Sequence, residues 1–192
     1  CPLTLLRLSK IITISGTGCC LVDFIYHDID FNSMIMKQYR SSARGDGGLH
    51  PGRLVFRDKL EQKSGKNLNE ILSEIAGSES EPFQNIGGPS VVSLIHTSQL
   101  LFEIDSHVHF YGIRGRDKAG KFLVESLNET PLNTFVLQST SQGATPSTHV
   151  LSDPSYNSNM GERIFINDIG VAADFKPACL EENFFNSDIV VF

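Results

Sequence analysis

Apolar and polar positions alternate along this chain with two different periods. Lys10 to Ser15, KIITIS, is a run of β-branched residues suited to a buried strand. Gly16-Thr17-Gly18 is predicted to end it. Cys20 to Asp30, CLVDFIYHDID, returns as an extended, partly alternating run. Ser41 to Gly52 has the glycine-rich, apolar-poor composition of a loop, and Arg53 to Phe56 reads as a short strand. Asn67-Leu68-Asn69-Glu70 is a capping box that opens a helix through Ile71, Leu72 and Ile75 to Ala76, with Gly77 suited to its end. Pro89 sits at the first position of a second helix, whose apolar face is Val91, Leu94, Ile95 and Leu101. His107 to Tyr111 is a strand predicted to stop at Gly112, and Asp117 caps a helix through Phe122, Leu123, Val124 and Leu127. Phe135 to Leu137, His149 to Leu151 and Arg163 to Asn167 are further strand candidates. Glu181 to Asn186 is a helical or turn segment, and Ile189 to Phe192 has the composition of a buried parallel strand.

Strands alternating with helices predict an α/β fold with a mainly parallel sheet flanked by helices. The interruption from Asp28 to about Gln84 is expected to be an inserted, β-rich lid rather than a second domain. The last residues fall inside a core strand, as expected of a truncated chain. The 192 residues are enough for one domain with a core. A net charge of −6 with no long basic run disfavours a nucleic-acid partner, because phosphate contacts need clustered cations. Cys1, Cys19, Cys20 and Cys179 fit neither a disulfide framework nor a zinc site, which points to reduced thiols in the cytoplasm. No run reaches the ~18 apolar residues of a membrane helix. No signal-peptide cleavage pattern is present.

Four segments carry candidate chemistry. Gly16-Thr17-Gly18-Cys19-Cys20-Leu21-Val22-Asp23 puts a carboxylate after a strand and a tight turn, and a carboxylate accepts hydrogen bonds from vicinal hydroxyls with charge assistance. Asn85-Ile86-Gly87-Gly88-Pro89 puts two glycines at a helix start, where backbone can approach a ligand closely. Gly112-Ile-Arg-Gly115-Arg-Asp117-Lys-Ala-Gly120 joins a strand to a helix. Gly161-Glu162-Arg163-Ile164-Phe165, Gly170-Val171-Ala172-Ala173 and Ser187-Asp188-Ile189-Val190-Val191-Phe192 close the series. In this order they resemble the PfkB family of ribokinase-like carbohydrate kinases, from Ile11 to Phe192. Cys19 stands where that family has Asn, and Val91 and Val92 replace the Asn that follows its glycine pair.

The resemblance implies a ribokinase-like fold, of which 1–192 is the N-terminal part of a single kinase domain. It implies transfer of the γ-phosphoryl of ATP, with Mg2+, to a hydroxyl of a sugar or nucleoside. It assigns substrate contacts to Asp23, Gly87 and Gly88, with Asp46 reaching in from a lid that bends at Gly47 and Gly48; Asn167, a polar side chain at the end of a strand, is a further candidate. The glycine-rich stretch and inserted position of the lid also raise a homodimer contact through it. The family's base is the Asp of a Gly-Ala-Gly-Asp motif. The Gly-Asp pair in this sequence is Gly45-Asp46, without the preceding Gly-Ala, so no catalytic residue is assigned to this chain, and the nucleotide-binding part is expected to lie beyond it. A non-catalytic sugar- or nucleoside-binding protein is the alternative. Two decoys remain. Gly115 to Lys121 fits the phosphate-loop spacing, but Phe122 stands where Ser or Thr must hold magnesium. His107 and His109 share a strand face but lack a third metal ligand, so no metal site is assigned.

Overall fold

In a computed structural model, residues 11–192 are described. Lys10, the predicted first strand residue, and Cys1 lie outside them. Among the described residues nine strands form two sheets. The first has four strands in the order β6-β5-β1-β9, with β1 at Ile12–Thr17, β5 at Ser106–Gly115, β6 at Leu137–Thr140 and β9 at Ile189–Val191. All its pairings are parallel. The second has the order β3-β8-β7-β2-β4, from β2 at Leu21–Tyr26, β3 at Leu54–Phe56, β4 at Phe83–Gly87, β7 at Ser147–Asp153 and β8 at Glu162–Asp168. Here β2–β7 and β3–β8 run parallel, whereas β2–β4 and β7–β8 run antiparallel.

Two core clusters form. Helices α4, Pro89–Leu100, and α5, Lys118–Leu127, cover one face of the first sheet. Val91, Leu94, Ile95, Leu123 and Leu127 meet Ile14, Val108 and Phe110 there, and this cluster also takes in Val22 of β2 from the second sheet. The second sheet is backed by α1, Met34–Tyr39, α2, Arg57–Ser64, and α3, Leu68–Ala76. Tyr39, Leu60, Ile71 and Leu72 pack on Tyr26, Leu151, Ile164 and Ile166. Phe24 of β2 touches both cores.

The capping box at Asn67 is closed in both directions, Glu70 N–H to the Asn67 side chain and Asn67 N–H to Glu70, each at 3.0 Å. Gly16 does not end β1: the strand runs to Thr17, because the absent Cβ makes room for the Leu94 side chain, whose Cδ1 lies 2.5 Å from where a Cβ would sit. Gly112 likewise stands inside β5, which continues to Gly115. Of residues 28–84, only β3 and the start of β4 enter the second sheet; β2, β7 and β8 come from outside that range.

The glycine-rich stretch before β3 is tightly held. Asp46 accepts hydrogen bonds from the N–H groups of Ser42, Ala43 and Gly48, from the Ser42 hydroxyl and from Lys63. Ser41 N–H donates to Leu49 O and Leu49 N–H to Tyr39 O, both at 2.8 Å. A Cβ on Gly47 would lie 2.5 Å from Lys59 O, so this glycine serves close packing.

Candidate functional site

Two-residue periodicity places Leu21, Asp23 and Ile25 of β2 on the face of the second sheet opposite Val22, Phe24 and Tyr26. Following the pairings outward from Asp23 gives a cross-strand row. Asn85 of β4 lies on one side; Thr148 of β7, Asn167 of β8 and Phe56 of β3 lie on the other. The next row on the same face is wholly apolar: Phe83, Ile25, Val150, Phe165 and Leu54. Phe83 is 60% exposed and Leu54 50%, so the apolar row is open to a ligand at both ends. The two rows offer polar groups beside an apolar platform.

Asp23 is half-buried. Burial raises its pKa above the usual carboxylate value, and a hydrogen bond from the Thr148 side chain acts against that rise. The Thr148 hydroxyl donates to Asn167 Oδ1 at 2.8 Å. This leaves the Asn167 amide N–H groups as donors and the Asp23 oxygens as acceptors. The two backbones stand two strands apart, roughly 10 Å, a span within reach of one sugar- or nucleoside-sized ligand.

The glycine pair shapes the end of this row. Gly87 faces Leu21 across β2–β4, and a Cβ there would lie 2.5 Å from Asp23 Oδ2 and collide with Leu21 Cδ1. Gly88 caps α4 with φ of 101°, in the region that favours glycine, and a Cβ would run into the Cys19 carbonyl. That carbonyl accepts from Val91 N–H at 3.3 Å, and Cys19 N–H donates to the Ser90 hydroxyl at 3.2 Å. The start of α4 is thereby fastened to the β1–β2 turn by two hydrogen bonds. The Cys19 thiol has a raised pKa, first from burial and then from the Asp23 charge.

The structure thus brings Asp23, Gly87, Gly88 and Asn167 to one end of the second sheet. Asp46 is elsewhere. It lines a separate cleft of about 690 Å3 that meets the Asp23 face only through Leu54. Its carboxylate is committed to Lys63 and to the N–H groups of its own loop, which hold it far below the usual range. Thr148, Asn85 and the apolar row were not singled out as contacts. Their only signal was strand alternation; Asn85 and Phe83 join the rows through β2–β4, and Thr148 and Val150 through the β2–β7 pairing, which crosses more than 120 residues.

Behind the row, the opposite face carries His149 stacked between Phe24 and Tyr26, with ring centroids at 5.0 and 6.1 Å. Burial drops its pKa to about 4, and its Nδ1 has no hydrogen-bond partner. The phosphate-loop decoy is occupied by the protein itself. Asp117 Oδ1 takes the Gly120 N–H at 2.8 Å, and Lys121 lies 3.6 Å from Glu125 on the exposed side of α5. Among the described residues no three His, Cys, Asp or Glu side chains converge on a metal position, and no helix is long and apolar enough to cross a membrane. Cys19, Cys20 and Cys179 are free thiols.

No family model and no curated protein sequence matches the chain. Solved structures do. The apo adenosine kinase of Trypanosoma brucei brucei superposes with a TM-score of 0.64 at 15% identity, over 95% of this chain and 49% of that one. This is the ribokinase-like fold. Adenosine kinase from Anopheles gambiae, in complex with P1,P4-di(adenosine-5) tetraphosphate, gives 0.62 at 17% identity, over 91% and 44%. Adenosine kinase from Schistosoma mansoni, in complex with adenosine, gives 0.60 at 18%, over 88% and 41%. The chain spans less than half the length of each of these kinases.

Proposed function

We propose that this chain is the acceptor-binding portion of a PfkB-type, ATP-dependent phosphotransferase that acts on a hydroxyl of a sugar or nucleoside. The row Asn85–Asp23–Thr148–Asn167 beside the apolar row carries this reading. Asp23 accepts from vicinal hydroxyls, Asn167 donates its amide N–H groups, and the Phe83–Leu54 row packs against the flat face of a ring. The adenosine and dinucleotide complexes of the structural neighbours support a nucleoside or sugar acceptor and ATP as donor.

The described residues do not fit ATP or Mg2+ themselves. The Gly120 amide and Lys121 are committed within the protein, and no carboxylate cluster is available for a metal. The contacts of ATP and Mg2+ belong to another part of the kinase. What this chain does is bind, orient and desolvate the acceptor, which raises the effective concentration of its hydroxyl. The chain alone is expected to lack phosphotransfer activity.

A non-catalytic sugar- or nucleoside-binding protein is the second reading. It is favoured by the state of the Gly45-Asp46 pair, whose carboxylate is saturated by neighbouring donors and has no capacity left to take a proton from a hydroxyl. Pairing of two copies through the lid sheet is a further part of the proposal, which sedimentation velocity tests. The functional test is a thermal-shift panel of sugars and nucleosides, since a ligand of the native state raises the melting temperature. Stabilisation by at least one pentose, hexose or nucleoside is expected. A flat response across the panel at millimolar ligand contradicts both readings.

A further inference from the structure

Positive charge is gathered in one part of this acidic chain. Residues 37–66 hold eight of the 16 Lys and Arg but three of the 22 Asp and Glu, in a chain of net charge −6. Those three carboxylates are already matched: Asp46 by Lys63, Glu61 by Arg57 and Asp58 by Lys59. Lys66 pairs with Glu74 outside the segment. Lys37, Arg40, Arg44 and Arg53 make no ion pair among the described residues. Two of these four, Arg44 and Arg53, line the cleft of about 690 Å3 together with His50 and the glycine-rich loop.

We propose that this cleft binds a phosphate group, free or on a small molecule, through Arg44, Arg53, His50 and the backbone of the loop at Gly45 and Gly47. A guanidinium presents a planar fork of donors that matches phosphate oxygens two at a time. The N–H groups of Gly45 and Gly47 meet no acceptor among the described residues. Gly45 has φ of 79°, and nothing stands within 4 Å of where its Cβ would be, so an anion can approach that backbone closely. The loop is ordered beforehand, because Asp46 ties together the N–H groups of Ser42, Ala43 and Gly48 and the Lys63 ammonium. Less ordering then has to accompany binding. The His50 ring is fixed as well, its Nδ1–H donating to Pro51 O at 2.7 Å.

Asp46 is the carboxylate lining the cleft, and its bonds to the loop and Lys63 leave it unavailable to a metal. The phosphate is therefore taken without Mg2+, which separates this site from the nucleotide contacts of a phosphotransferase. Arg44, His50 and Arg53 converge on one cleft and do not run along a helix or strand, which suits a small anion better than a nucleic acid. Lys37 and Arg40 lie outside the cleft and add only to the surrounding field.

The test is an amide NMR titration of the parent chain with inorganic phosphate and, separately, with glycerol 3-phosphate, at an ionic strength held constant with NaCl. Saturable shifts are expected at Gly45, Gly47 and Gly48, half-complete at on the order of 1 mM. Equal binding of the two probes shows that the phosphate group suffices, and tighter binding of the ester identifies a phosphorylated compound as the occupant; either supports the proposal. Arg44→Gln/Arg53→Gln should weaken binding at least ~10-fold, whereas Lys37→Gln/Arg40→Gln, which removes the same charge outside the cleft, should weaken it by no more than ~2-fold. All four side chains are exposed, so both double variants should keep the parent's melting temperature. Should the first fail to fold, Arg44→Gln and Arg53→Gln decide singly, each weakening binding at least ~3-fold. Shifts that stay linear to ~20 mM with both probes overturn the proposal. So does an equal loss of affinity in the two double variants, which would show a diffuse field and no site. Neither probe is a sugar or nucleoside, so this outcome stands or falls apart from the phosphotransferase reading.

Discussion

Gly87→Ala probes the fit on which the Asp23 site depends. The added Cβ would lie 2.5 Å from Asp23 Oδ2 and 2.6 Å from Asp23 Cγ, and would press on Leu21 Cδ1. Carbon contacts are comfortable at about 3.5–4.0 Å, so each neighbour must yield by about 1 Å. The Asp23 carboxylate is the softer neighbour, because Leu21 is buried. It can swing only away from β4, toward Thr148. Overpacking of this kind costs about 1–3 kcal/mol, which for a chain of this length lowers the melting temperature by about 2–4 °C per kcal/mol. The variant should therefore melt measurably lower and shift the Asp23 carboxyl resonance and its titration midpoint. Any sugar or nucleoside found to bind should bind at least ~10-fold more weakly, since one charge-assisted hydrogen bond is worth about 1.5–3 kcal/mol. The assays are a urea melt, carboxyl NMR and equilibrium titration. Parent-like stability, together with an unmoved Asp23 resonance, would refute the close-approach argument for this glycine.

Three further outcomes are expected. Asp46→Ala should speed amide exchange at Ser42, Ala43 and Gly48 by at least ~10-fold, since their acceptor is gone; unchanged exchange there contradicts the loop account. His149 titrates at about 4 in the folded chain against about 6.5 unfolded. As pH falls below about 6.5 the unfolded chain takes a proton that the folded one refuses, so stability declines and the loss is complete below about pH 4, reaching ~3 kcal/mol. His149→Phe should lack that part of the acid dependence between pH 7.5 and 4.5 in urea melts, and an equal decline in both proteins sinks the assignment. Asn67→Ala opens the capping box and should cost about 1 kcal/mol; a loss below ~0.3 kcal/mol would show that α3 is held by packing alone.

The layout of the fold was legible wherever a segment's local pattern and its tertiary use agree. The β-branched run of β1, the Asn67–Glu70 box and the Asp117 cap are such places. What was hidden had no local pattern. Helix α2, RDKLEQKS, buries only Leu60, so it shows no apolar stripe. Strand β4, FQNIG, is an edge strand of mixed polarity next to a Gly-Gly turn, and it gives no clear two-residue alternation. Gly16 and Gly112 resemble strand ends because glycine is usually punctuation, yet here each makes room for a neighbouring side chain. At the site, Asp23, Gly87 and Gly88 lay in segments with local turn chemistry. Thr148 did not: its place depends on which strands pair, and that is decided by the whole sheet. Asp46 shows the converse, a conspicuous carboxylate in a glycine-rich loop whose bonding capacity the loop itself consumes.

The central claim is that Asp23 anchors a sugar or nucleoside on the open face of the second sheet. Calorimetric titration of adenosine and of D-ribose into the parent chain and into Asp23→Asn at pH 7.5 tests it most directly. Saturable binding of at least one of the two is predicted, weakened at least ~10-fold in Asp23→Asn by loss of a charge-assisted acceptor, with the melting temperature held within about 2 °C. Equal affinity in the two proteins, or no binding of either compound by the parent chain, would contradict it.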